Sequence, residues 1–139
     1  MRQRGLFDRP SLNPVPRLKA AMREALKGCG LSREQVVDRM NELASLEGLS
    51  TGGRAKRVTL PLLDKWVAEG APEHVIPTKF IPIFCEATGD YGVLRVLARC
   101  LGLAVIGPEE QKLLEWARAE VEKRRIAKKA RKLAEELGL

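Results

Sequence analysis

The chain is poor in aromatic residues, and this scarcity limits the folds that it can adopt. Phe, Trp and Tyr together make up 4% of the 139 residues. A core supplied mainly by Leu, Val, Ala and Ile favours packed helices over a sheet, in which aromatic residues are enriched. The sequence also lacks an internal repeat and any useful run of alternating apolar and polar residues. We therefore predict an all-α protein.

Cysteine and histidine are also scarce, which removes most metal and catalytic chemistry. Cys29, Cys85, Cys100 and the single histidine, His74, lack the paired spacing of a zinc site. We expect three reduced, partly buried thiols, an exposed histidine, and neither metal nor cofactor. The sequence offers no phosphate-binding loop, no nucleophile beside a base and no paired carboxylates that we can place in a pocket. It therefore predicts that the protein is not an enzyme.

Long apolar runs are missing as well. No stretch is long and apolar enough to cross a bilayer. The basic N-terminal stretch 1–17 has no apolar segment of the kind found in signal peptides. We expect a cytoplasmic protein with no membrane partner.

Positive charge is in excess. The formal net charge is +7 and the isoelectric point is near 9.7. A basic excess is an argument about partners rather than about fold, and it favours nucleic acid, whose phosphates Lys and Arg neutralise.

Proline and glycine divide the sequence into three parts. Pro10 and Pro14 disfavour helix, so residues 1–15 are predicted to form a flexible basic arm. Residues 16–106 show about five short helical patterns, which we assign to one compact domain. Residues 107–139 begin with Gly107 and Pro108 and predict one long basic helix.

Capping residues indicate where the short helices begin. Ser32 followed by Gln35 forms a capping-box pattern at the start of a helix over 32–47. Thr59 is predicted to cap a helix over 59–69 that stops at Gly70. Thr78 and Asp90 are predicted to cap the two helices that follow.

A basic loop precedes the helix that Thr59 caps. Arg54, Lys56 and Arg57 lie beside a helix N-terminus, where cations are unfavourable unless an anion lies opposite. The alternative is a solvated basic surface. If the anion is a DNA phosphate, the two helices suit a helix-turn-helix, whose second helix presents its N-terminal residues to the base edges.

This hypothesis names ten candidate DNA-binding residues. Those expected to reach phosphates are Arg33, Gln35, Arg54, Lys56 and Arg57. Those expected nearest the groove are Thr59, Leu60, Pro61, Asp64 and Lys65.

A resemblance to a known family supports the hypothesis. The segment 31–103 resembles the λ-repressor-like helix-turn-helix family, and "FCEATGDYGVLRVLARCLG" is similar to a segment of phage regulatory proteins of the CII type. The matching positions are Leu31, Ser32, Val36, Val37, Leu63, Trp66, Gly70 and Pro77. The resemblance implies a compact five-helix helix-turn-helix domain, which the long C-terminal helix predicted from the sequence of residues 107–139 follows. The connection 46–57 is longer than the family's usual turn, so either it is an insertion that adds backbone contacts or the helix pairing differs.

The C-terminal helix allows three interpretations. Leu113, Leu114, Ala117 and Val121 form one apolar stripe, and a second consists of Ile126, Ala130, Leu133 and Leu137. The five-residue step between them rotates the stripe, so these positions do not predict a continuous coiled coil. In the first interpretation, the first stripe packs on the domain while the second pairs with another subunit. In the second, the basic residues bind the DNA backbone. In the third, the end of the helix is solvated and frayed. The first two are compatible.

Charge pattern and resemblance together predict the function. We expect a sequence-specific regulator of transcription that binds double-stranded DNA, is encoded by a phage or prophage, and acts by occupying an operator as a homodimer or higher oligomer. The alternative is an adaptor of a phage replication or transposition complex that uses the C-terminal helix for docking.

Overall fold

The computed structural model describes residues 11–54 and 56–139, and every regular element in these ranges is helical. The α-helices are α1 (Val15–Gly28), α2 (Arg33–Leu46), α3 (Leu60–Val67), α4 (Ile81–Thr88), α5 (Gly92–Arg99) and α6 (Pro108–Glu136). A 3-10 turn, Thr78–Phe80, precedes α4. Because no strand occurs within the described ranges, the all-α prediction is confirmed there. The predicted arm lies mostly outside the described residues, which begin at Ser11.

The chain divides into two compact units, of which the first ends at Ala104 and the second comprises Val105–Leu139. Helices α1 to α5 belong to the first unit, and α6 belongs to the second.

An aliphatic core holds the first unit together. Helix α1 packs against α3 and α5, and α2 packs against α3 and α4. The fully buried side chains include Met22, Met40, Leu63 and Phe84. Trp66 is buried, and its ring centroid lies 5.9 Å from that of Phe80, so the indole is part of this core. Burial of this apolar surface is the main force that stabilises such short helices.

Two of the predicted helix starts are confirmed atom by atom. The Ser32 hydroxyl accepts the Gln35 N–H, and the Gln35 side chain accepts the Ser32 N–H in return. The Thr59 hydroxyl accepts the Leu62 N–H at 3.3 Å. Each bond satisfies an N–H that has no partner within its helix.

Two other predicted caps were wrong. Helix α4 begins at Ile81, because Pro82 has no N–H for the Thr78 carbonyl and that oxygen accepts the Ile81 N–H in a 3-10 turn instead. Helix α5 begins at Gly92 rather than beside Asp90. The Asp90 carboxylate accepts the Gly92 N–H at 2.7 Å and so supports the first turn from two residues away.

Helix α6 is continuous over 29 residues and contains no buried residue. It begins at Pro108, as predicted, and the Glu110 carboxylate accepts the Gly107 N–H at 2.9 Å. The large apolar side chains of this helix are exposed to solvent, including those of both predicted stripes, whereas Ala117 of the first stripe is half-buried.

Candidate nucleic-acid interface

A single asparagine anchors the end of the basic loop. The Asn41 side chain donates to the Val58 carbonyl and accepts from the Val58 N–H, both at 2.8 Å. Asn41 thus bonds both backbone groups of Val58, as a residue of a neighbouring antiparallel strand would do. The two bonds hold the end of the loop against α2, and the Val58 side chain is buried. Val58 directly precedes Thr59, so the anchor also fixes where α3 begins.

The loop closes on itself before it reaches that anchor. The Thr51 hydroxyl donates to the Arg57 carbonyl at 3.3 Å, and the Lys56 N–H donates to the Gly53 carbonyl at 3.0 Å. Lys56 has φ = 55°, a left-handed conformation that costs a residue with a Cβ about 1 kcal/mol relative to glycine. The tight turn brings the side chains of Arg54 and Arg57 to one region.

Those side chains border a shallow depression of about 240 Å³ at the start of α3. Five of the ten predicted site residues line it, namely Arg54, Arg57, Thr59, Pro61 and Lys65. Thr51, Gly53 and Leu62 complete the lining. The depression therefore combines three cationic side chains with a helix N-terminus, whose partial positive charge favours an anion.

The other five predicted residues do not line this depression. Lys56 borders an adjacent depression of about 250 Å³ that Arg57 also lines. Leu60 is half-buried and packs against the core, and the Gln35 side chain is engaged in the capping box. Arg33 donates to the Asp64 carboxylate at 2.7 Å, which joins the start of α2 to the exposed side of α3.

The C-terminal end of α3 is held by two cations of α1 that the sequence prediction did not include. The Lys19 ammonium is buried and donates to the carbonyls of Lys65 and Trp66, each at 3.0 Å, and of His74 at 2.6 Å. Arg23 donates to the Val67 carbonyl at 2.7 Å. Cations at this end of a helix satisfy free carbonyls and oppose the negative end of its dipole.

These contacts also correct the predicted end of α3. The helix stops at Val67 instead of continuing to Gly70. The side chains of α1 take the last carbonyls, so a glycine cap within α3 is not needed. Burial lowers the pKa of Lys19, the charge of Arg23 lowers it further, and Glu73 opposes this shift.

A sequence signal for Lys19 exists in retrospect. Val15, Lys19, Met22 and Leu26 share one face of α1 at helical spacing, so a lysine occupies a position of the apolar stripe. A charged residue in an apolar stripe indicates either that the charge has a buried hydrogen-bonding partner or that the buried face of the helix was predicted incorrectly.

The cysteines and the histidine take no part in this surface. Cys85 and Cys100 are buried, Cys29 is half-buried, and all three are free thiols. His74 is exposed, as predicted, and contributes only its carbonyl to Lys19. Within residues 11–54 and 56–139, no group of three or more His, Cys, Asp or Glu side chains is placed to hold a metal ion. None of the helices in that part of the chain has the length and apolar character needed to span a membrane.

Comparison with other proteins identifies no relative. No protein-family model, no curated protein and no solved structure matches the chain.

Proposed function

We propose that the protein is a sequence-specific double-stranded DNA-binding regulator of the phage helix-turn-helix type, acting by operator occupancy as an oligomer. One observation carries the proposal: Arg54, Arg57 and Lys65 converge on a depression at the N-terminus of α3. Arg54 and Arg57 lie beside a helix N-terminus and suit a DNA phosphate, which would also explain why these two cations are tolerated there.

The anchored loop supports the same proposal. The loop that carries Arg54 and Arg57 is held in one conformation in the absence of DNA. The bonds of Asn41 and Thr51 and the left-handed turn at Lys56 provide this restraint. A preorganised surface loses less conformational entropy on binding than a flexible one. In this arrangement the loop supplies phosphate contacts, and the exposed residues Pro61 and Lys65 of α3 face the groove.

Binding to fragments of the chain's own genomic neighbourhood tests the proposal. We expect one discrete fragment to remain bound in excess competitor DNA at two salt concentrations. The logarithm of the affinity should fall with the logarithm of the salt concentration by about 0.9 per phosphate contact. Flat salt dependence would contradict the proposal, because cationic side chains carry the interface.

A matched pair of arginine variants localises the surface. Arg57→Ala should weaken binding to all sequences and reduce the magnitude of the salt slope by about one. Arg39→Ala removes an exposed arginine of α2 outside the depression and should leave affinity and slope nearly unchanged. Equal effects of both variants would assign binding to overall charge instead of to this surface.

The adaptor alternative is favoured by a different observation, which is that α6 contains no buried residue. If competitor DNA abolishes all binding, a protein partner for this helix becomes the leading hypothesis. Removal of residues 108–139 should then abolish partner binding while α1 to α5 keep their helical circular dichroism signal.

A further inference from the structure

A continuous heptad seam runs along α6, on positions different from the first predicted stripe. Steps of three and four residues alternate from residue 116 to residue 137. The apolar members are Trp116, Ala119, Ile126, Ala130, Leu133 and Leu137, and Lys123 occupies the remaining position. The seam extends over about three heptads, the minimum length that indicates a coiled coil.

This seam is open to solvent. Trp116 is 62% exposed, Ile126 56% and Leu133 48%. Helices of this kind obtain most of their stability from packing an apolar face, and α6 has no buried residue with which to do so. The seam therefore lacks the partner surface that its spacing predicts.

The charges along α6 are strongly polarised. Residues 108–122 contain five glutamates and two cations, whereas residues 123–136 contain seven Lys or Arg residues and two glutamates. Two such helices side by side in the same direction would place like charges together. In opposite directions, the acidic half of each helix lies against the basic half of the other.

We propose that α6 pairs with α6 of a second copy of this chain as an antiparallel two-helix coiled coil. In the register that pairs six of the seven seam positions and overlaps residues 113–136 of the two helices, Trp116 lies opposite Leu133 of the second copy. Ala119 lies opposite Ala130, which lets the two backbones approach closely. This inference adds Trp116, Ala119 and an orientation to the predicted oligomerisation stripe, and it holds whether or not the protein binds DNA.

The lysine within the seam fits this register. In a parallel pair the two Lys123 ammonium groups would face each other across the seam. In the antiparallel pair Lys123 faces Ile126 of the second copy, and its charge reaches the edge of the interface. A single lysine in a heptad seam selects register and orientation at a cost in stability. Glu122 of one helix then lies beside Lys129 of the other, twice per dimer.

Sedimentation of the full-length chain without DNA tests the association. At about 50 µM we expect a dimer with a Kd in the micromolar range or below. Ile126→Glu should be monomeric at that concentration. The matched control, Val121→Glu, changes a residue that is 66% exposed and outside the seam, and it should remain dimeric. A monomeric wild-type chain, or equal association of both variants, would overturn the proposal.

A charge exchange tests the orientation. Lys129→Glu places glutamates side by side in the antiparallel pair and should weaken the dimer about tenfold. Adding Glu122→Lys should restore most of the affinity, because each pair regains opposite charges. In a parallel pair Lys129 lies beside Ala134, so an unchanged Kd for Lys129→Glu would overturn the antiparallel orientation. Helical circular dichroism of each variant shows that α6 is intact.

Discussion

The ammonium group of Lys19 lies 3.0 Å from the carbonyl oxygen of Trp66, so a buried cation of α1 satisfies the end of α3. The same ammonium bonds two further carbonyls, one of them beyond the helix in the segment that leads to α4. Helix α3 is only eight residues long, and its position therefore depends on side chains outside it. The N-terminal end of this helix borders the proposed DNA-binding surface.

Replacing Lys19 should be strongly destabilising. Lys19→Met keeps most of the side-chain volume but leaves the carbonyls of Trp66 and His74 without a donor and removes one of the two donors to the Lys65 carbonyl. We expect a loss of about 3 kcal/mol in the free energy of unfolding. Urea denaturation measures it. Lys27→Met, at the exposed end of the same helix, should change stability by less than about 0.5 kcal/mol. Similar values for the two variants would mean that the buried bonds contribute little.

Alkaline pH should separate the contribution of Lys19 from that of Cys85. In the folded chain the pKa of Lys19 is lowered from its ordinary value of 10.5. At pH values between the folded-state pKa and 10.5, the unfolded chain therefore binds more protons at this site than the folded chain does. The Lys19 contribution to stability therefore rises with pH through that window. Between about pH 7 and 11, the free energy of unfolding of the wild type should increase relative to that of Lys19→Met as the pH rises.

Cys85 should have the opposite pH dependence. Burial, assisted by the charge of Asp90, raises the pKa of the Cys85 thiol above 9.0. The folded chain then holds this proton where the unfolded chain loses it, so stability falls as the pH rises from about 9. Cys85→Ala should remove this fall at a cost in packing at all pH values. A difference from wild type that does not change with pH would exclude the effect.

The anchor of the loop gives a graded prediction. Asn41→Ala removes both bonds to Val58 and should destabilise the chain by about 2 kcal/mol. Asn41→Asp retains the acceptor for the Val58 N–H but has no donor for the Val58 carbonyl. We expect its free energy of unfolding to lie below that of the wild type by at least half the loss in Asn41→Ala. Urea denaturation ranks the variants, and hydrogen exchange of the Val58 amide should accelerate in Asn41→Ala. Unchanged exchange would show that other contacts hold the loop end.

The left-handed conformation of Lys56 predicts a contrast between two substitutions that remove the same charge. Lys56→Gly relieves the backbone strain and should be more stable than Lys56→Ala by about 1 kcal/mol. If Lys56 contacts a phosphate, both variants should lose DNA affinity to a similar extent. Equal stability of the two would mean that the turn relaxes without cost.

The ion pair between Arg33 and Asp64 should matter more for binding than for folding. Both side chains are nearly half-exposed, so a double-mutant cycle should give a coupling below about 1 kcal/mol. Asp64→Ala removes a negative charge from the proposed surface and frees Arg33, and it should increase non-specific DNA affinity. Glu34→Ala, an exposed acid of α2, is the control for net charge and should have the smaller effect.

Sequence reasoning succeeded where a residue acts on its own neighbours along the chain. Ser32, Gln35 and Thr59 cap helices through bonds that span three residues, and such patterns are visible in the sequence. It failed at Thr78, where the missing N–H of Pro82 changed the hydrogen bonding of the first turn. It also missed Lys19 and Asn41, because each bonds residues 17 or more positions away.

The sequence by itself determined the helical class, the excess of positive charge and the caps of α2 and α3, since these follow from composition and local spacing. Only the tertiary structure decided where α3 ends, because cations of α1 take its last carbonyls. It likewise decided which of the predicted residues meet at one depression, because the path of the loop depends on a long-range bond to Asn41. Local patterns fix helices, whereas the placement of a short helix is set by side chains that are distant in sequence.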